Sequence, residues 1–145
     1  MNKIFLLIVT LITMIMVMCS CGSSEPDNKK MDLSTKEGIQ AYTESYFKEE
    51  ASTDIDSVTV NDDAGKGSGY ILLVNVVFTT KNKADTSKQM IQMLSEDFAA
   101  HIGEEASDVN EVSLMWEVPY LEGNAKVQYE RTDGGMKLGD ESFSF

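Results

Sequence analysis

Asp97 and His101 stand four residues apart in a stretch of helical periodicity, which sets a carboxylate beside the only imidazole of the chain. A carboxylate can orient such a ring and favour its charged form, the first half of an acid–base device. The second half is a nucleophile, and the sequence marks none. Gly67-Ser68-Gly69 lacks the spacing of a G-x-S-x-G elbow, and the only cysteines, Cys19 and Cys21, lie at the end of an apolar leader. Asp97 and His101 both fall at the edge of their helix's apolar stripe. Pairing on the helix surface is the expected role, and catalysis would require the two to face a cleft beside further polar groups.

Two other segments carry ligand-like residues. Gly65-Lys66-Gly67-Ser68 has the glycine, lysine and hydroxyl of a phosphate loop, but the glycine required ahead of the four residues Asn61, Asp62, Asp63 and Ala64 is missing, because Val60 stands there. Asp54, Asp56, Asp62 and Asp63 offer hard oxygen ligands, yet the Gly and Glu of a calcium loop do not fall at its sixth and twelfth places. A polar turn and charged loops are therefore expected. Trp116, Tyr120 and Tyr129 have the rings of a sugar or peptide platform, but alternation puts Trp116 and Tyr120 with Leu114 and Val118, which makes them core.

The amino terminus states an address. Asn2-Lys3 is polar and positive, and Ile4 to Met18 is then apolar apart from Thr10 and Thr13. Fifteen residues of helix reach roughly 22 Å, short of the ~30 Å hydrocarbon core that a permanent span must cross. An export signal fits this length. Met18-Cys19-Ser20-Cys21-Gly22 closes the run with a small residue immediately before a cysteine, and this resembles the lipobox of bacterial lipoproteins. The resemblance covers only the first 22 residues. It implies cleavage after Ser20 and diacylglyceryl attachment to Cys21, with Met18 where leucine is usual and Cys19 as a competing acceptor that follows a poorer cleavage residue. The implied product is fastened to the membrane outside the cytoplasm, because two acyl chains, at ~0.8 kcal/mol per buried methylene, hold where one is marginal. With Cys19 removed and Cys21 acylated, no thiol remains for a disulfide, a metal or catalysis. A zinc site, which draws on four nitrogen or sulfur ligands, is then excluded, and no metal or cofactor is expected.

Residues 21–33 read as a polar tether, with Gly22-Ser23-Ser24-Glu25-Pro26 followed by Asp27-Asn28-Lys29-Lys30. The whole chain carries 12 Lys+Arg against 24 Asp+Glu, and loss of Lys3 with the signal takes the formal charge from −12 to −13. Such a surface disfavours nucleic acid and anionic lipid.

Residues 34–145 form one domain. Ser34 and Glu37 have capping-box spacing, and Ile39, Tyr42, Tyr46 and Phe47 share one side of a helix running to about Glu50. Val58 and Val60 alternate with polar residues in a first strand, and a glycine-rich turn leads to a second over Tyr70 to Thr80. There Tyr70, Leu72, Val74, Val76 and Phe78 point one way and Ile71, Leu73, Asn75 and Val77 the other, so both faces are largely apolar and the strand is interior. Thr86 and Gln89 open a second helix, with Met90, Ile91, Leu94, Phe98 and Ile102 on one stripe and Gly103 as its stop. Strands follow at Val112–Tyr120 and Ala125–Glu130, and Met136 to Phe145 makes a short fifth strand or a docked tail. The expected fold is α+β, order αββαβββ, an antiparallel sheet of four to five strands with two helices in a two-layer sandwich. A cone-like sheet similar to nuclear-transport-factor-like proteins is the main variant.

If helices cover the face of Leu72, Val74, Val76, Leu114 and Trp116, the other face has an apolar middle of Ile71, Leu73, Val77 and Met115, with Glu117, Lys126, Gln128 and Glu130 around it. A patch of this kind is seldom left bare, so an envelope protein, a second copy or a ligand is expected to cover it, unless a helix or the Phe143–Phe145 tail does. The functional expectation is a lipid-anchored, non-enzymatic binding module. Alternatives are a small-ligand carrier with a pocket lined by Tyr42, Tyr46, Phe98 and Trp116, and an exclusion or immunity lipoprotein.

Overall fold

The computed structural model describes residues 31–145, an α+β domain of two helices and a five-stranded sheet. In chain order these are α1 (Lys36–Glu49), β1 (Thr53–Asp62), β2 (Tyr70–Phe78), α2 (Ala84–Glu105), β3 (Val109–Val118), β4 (Gly123–Thr132) and β5 (Gly135–Ser144). A 3-10 turn, Pro119–Leu121, joins β3 to β4, so Tyr120 lies just beyond the strand expected to hold it. No helix among the described residues is long and apolar enough to cross a membrane.

Both helix starts differ from the sequence expectation for local reasons. Thr35, not Ser34, caps α1, its hydroxyl accepting the Gly38 N–H at 3.1 Å. Ser34 is engaged with Asp32, donating its backbone N–H at 3.1 Å and its hydroxyl at 2.6 Å to the same carboxylate oxygen. That local turn competes with capping and moves the helix start by one residue. The second helix begins at Ala84, ahead of Thr86, with no side-chain cap. Gly103 is not its stop either, since α2 continues to Glu105. A Cβ at Gly103 would stand 3.3 Å from the backbone nitrogen of Met136, so glycine permits the close approach of β5.

Strand order follows chain order, β1-β2-β3-β4-β5, with antiparallel pairing everywhere except between β2 and β3. The expectation of a wholly antiparallel sheet is corrected at that one junction. No hairpin joins β2 to β3; the connection contains the 22 residues of α2. A helix of that length spans roughly 33 Å, and the nine residues of β2 span about 30 Å, so the helix returns the chain to the end where β2 began. A strand starting there must run parallel. The Tyr70 N–H, donating to the Asp108 carbonyl at 2.7 Å, ties the two strand starts together.

Both helices lie on the sheet face carrying Leu72, Val74, Val76, Phe78, Val112, Leu114, Trp116 and Val127. Phe47 of α1, Phe98 of α2 and Trp116 of β3 meet at its centre, with Phe47 at 4.8 Å and 5.9 Å from the other two rings. The Trp116 indole N–H donates to the Ser95 hydroxyl at 3.0 Å, so its one polar atom is satisfied inside the core. These rings occupy the space that a ligand pocket lined by Tyr42, Tyr46, Phe98 and Trp116 would need.

Arg131 is the only arginine of the chain, and the motif reading passes over it. Its guanidinium donates to four backbone carbonyls: Val109 at 2.6 Å, Ala106 at 2.8 Å, Gly103 at 3.1 Å and Ile102 at 3.3 Å. The last turn of α2 contains no basic residue, so Arg131 supplies from β4 the positive charge that a helix end favours.

Candidate functional site

The second face of the sheet has no helix across it among the described residues. Register aligns Ile71, Leu73, Asn75 and Val77 of β2 with Glu111, Ser113, Met115 and Glu117 of β3. Lys126 pairs with Met115 and Gln128 with Ser113 on β4, while Ser57 pairs with Asn75 and Thr59 with Leu73 on β1. The four sequence-expected residues Ile71, Leu73, Val77 and Met115 are thus brought together on this face. Ile71, Leu73 and Val77 are half-buried by their neighbours, whereas Met115 is 45% exposed.

The fifth strand decides what covers this face. Strand β5 is ten residues long and occupies the sheet edge beside β4, longer than the short strand or tail that was expected. Phe143 pairs with Ala125, a core-facing residue, and lies under the Lys88 ammonium of α2 at 4.9 Å. The carboxyl-terminal aromatic residues therefore belong to the helix side and leave Met115 uncovered.

A concavity of about 300 Å³ opens on the bare face between Asp56, Asn75, Val77, Met115, Glu117 and Lys126. A bulge in β1 between Ile55 and Ser57 inserts Asp56. The Asn75 amide donates to the Ser57 hydroxyl at 2.8 Å, and Lys126 stands 4.0 Å from Asp140 of β5. Apolar atoms thus occupy the middle, with carboxylates from Asp56, Glu111, Glu117 and Glu130 outnumbering the Lys126 and Lys137 ammonium groups around them. Such a surface can take up an apolar side chain and attract basic groups at its rim.

The acid–base pair has a different setting. His101 Nε2 is 3.7 Å from Asp97 Oδ2, and the two side chains are 49% and 61% exposed. The same carboxylate oxygen accepts the Tyr46 hydroxyl at 2.5 Å, and the Tyr46 ring lies 5.7 Å from the imidazole. Burial first, then the Asp97 hydrogen bond and charge, push the Tyr46 phenol well above its ordinary range, so it stays a donor. This trio links α1 to α2 and takes no part in the concavity of the bare face. Tyr46 is the partner that one-helix spacing could not reveal.

The glycine turn is closed to phosphate by its own residues. Asp63 Oδ1 accepts the Gly65 and Lys66 amides, each at 3.0 Å, and the Gly67 amide donates to the Asp63 carbonyl at 3.1 Å. The Lys66 amide, with those of Gly65 and the Asn110 side chain, holds the Asp63 carboxyl below its usual range. Among the described residues no group of three or more His, Cys, Asp or Glu side chains could hold a metal ion. Cys21, the expected lipidation site, lies outside the described residues.

No protein-family model matches the chain, and neither a curated protein nor a solved structure matches it.

Proposed function

We propose that this is a lipid-anchored, extracytoplasmic binding module with no catalytic role, and that its bare sheet face engages a protein of the cell envelope. The observation that carries the reading is the uncovered apolar middle of Ile71, Leu73, Val77 and Met115 on a sheet whose other face carries both helices. Anchoring through Cys21 rests on the lipobox-like junction Met18-Cys19-Ser20-Cys21-Gly22. The partner presents an apolar side chain within a basic surround, because the rim is mainly acidic. A second copy of the chain is disfavoured as the occupant, since two bodies of formal charge near −13 would bring like-charged rims together.

Capture from envelope extract with the full, tagged chain tests this. The native protein is expected to retain a specific partner that Leu73→Asp and Met115→Lys each lose, while circular dichroism shows both variants folded. Equal capture by Met115→Lys would contradict the proposal, because that residue is exposed and its substitution leaves the core intact.

A further inference from the structure

On the other layer, between α2 and β5, a concavity of about 540 Å³ is lined by Glu96, Ala99, Tyr129, Met136, Leu138 and Glu141 among others. Its volume lies in the range of small-molecule sites, ~300–1,000 Å³. Tyr129 is 6% exposed, and its hydroxyl has no hydrogen-bond partner among the described residues. No fully buried side-chain oxygen or nitrogen lacks a partner there, so this hydroxyl is accessible, and the concavity is where Tyr129 reaches the surface. The Tyr129 ring is thus held in the core while its hydroxyl stays open to the concavity, able to donate to or accept from a molecule lodged there.

The surroundings state which ligand. Burial raises the Tyr129 phenol to about 12, and the charges of Glu96 and Glu141 act on it in the same direction. Neither glutamate is in an ion pair among the described residues. Gln92 donates its amide to both oxygens of Glu141, at 2.9 Å and 3.1 Å, which orients that carboxylate without neutralising it. Lys137 also borders the concavity, but it pairs with Glu130, and strand alternation sends its side chain to the opposite face. Ala99, Met136 and Leu138 leave an apolar surface beside these oxygens, and Leu138 is 47% exposed.

We infer that this groove binds a small primary amine with an apolar body. The three N–H groups of an ammonium match three acceptors, the two carboxylates and the Tyr129 hydroxyl, while the organic part lies against Ala99, Met136 and Leu138. The site shares no residue with the bare sheet face and stands apart from the partner proposed there.

Calorimetric titration of the full chain in nonionic detergent tests the inference with 2-phenylethylamine, 2-phenylethanol and 3-phenylpropionate as probes. The amine is expected to bind saturably and at least ten-fold more tightly than the alcohol, with no binding of the anion. Glu96→Gln, an exposed substitution that spares the fold, and Tyr129→Phe should each weaken the amine at least five-fold, while Glu104→Gln and Leu73→Asp leave it unchanged. Equal affinity for amine and alcohol, absence of amine binding, or full affinity in Glu96→Gln would overturn the assignment. Because Leu73→Asp is read in both experiments, loss of the envelope partner and loss of the amine are separable.

Discussion

Phe47→Ala is expected to lower the stability of the folded body by about 3–5 kcal/mol, the usual cost of removing a buried phenyl ring. Phe47 is fully buried and is the point where α1 reaches the other layer, touching Phe98 of α2 and Trp116 of β3. Its backbone carbonyl accepts the Thr53 hydroxyl at 2.8 Å, so the turn from α1 into β1 is fastened at the same residue. Among the described residues β1 is an edge strand beside β2, and α1 lies against it. The cavity therefore forms at the seam where α1, α2 and the sheet meet. For a domain whose total stability is about 5–15 kcal/mol, such a loss removes a large share of it. Urea denaturation of Phe47→Ala and Phe47→Leu checks the value, and the leucine variant should retain more than half of the lost stability because most of the volume is restored.

Arg131→Met is expected to cost about 2–4 kcal/mol, although it keeps an unbranched apolar stem and adds no charge to the core. The loss leaves the carbonyls of Ile102, Gly103, Ala106 and Val109 without their common donor. It also removes the positive charge that β4 supplies to the negative end of α2, whose own last turn has no basic residue. Hydrogen exchange should accelerate first in the last turn of α2 and at the start of β3. Arg131→Lys should recover less than half of the loss, since one ammonium cannot reproduce a planar fork aimed at four acceptors. Thermal midpoints of the three proteins measure the effect, and equal midpoints for Arg131→Met and native protein would remove the clamp from the account.

Much of this architecture is legible in the residues, for identifiable reasons. The two-sided apolar run of β2 implies neighbours on both edges, and β1 and β3 supply them. Alternation in β3 assigns Trp116 to the core, where it is 1% exposed. The same alternation separates Met115 from Trp116 and so marks the bare face. What escaped the reading depends on distance along the chain or on competition between neighbours. Arg131 acts across 22 to 29 residues, and no local pattern announces a side chain that caps a helix from another strand. Ser34 and Thr35 both qualify as caps, and Asp32 decides between them. The parallel pairing of β2 with β3 follows from the length of α2, a quantity that an assumed stop at Gly103 understates. Tyr129 reads as core because its ring is core, and alternation says nothing about where a phenol tip emerges.

Photo-crosslinking in living cells tests the central claim most directly. A photoreactive amino acid replaces Met115 on the bare face or Met93, which is 60% exposed on α2, in the full chain. Position 115 is expected to give a single protein adduct that sediments with membranes, position 93 none, and Cys21→Ala should release the protein from the membrane fraction and abolish the adduct. Indistinguishable adducts from the two positions, or an adduct that persists unchanged in the soluble fraction of Cys21→Ala, would contradict a membrane-fastened module that binds through this face.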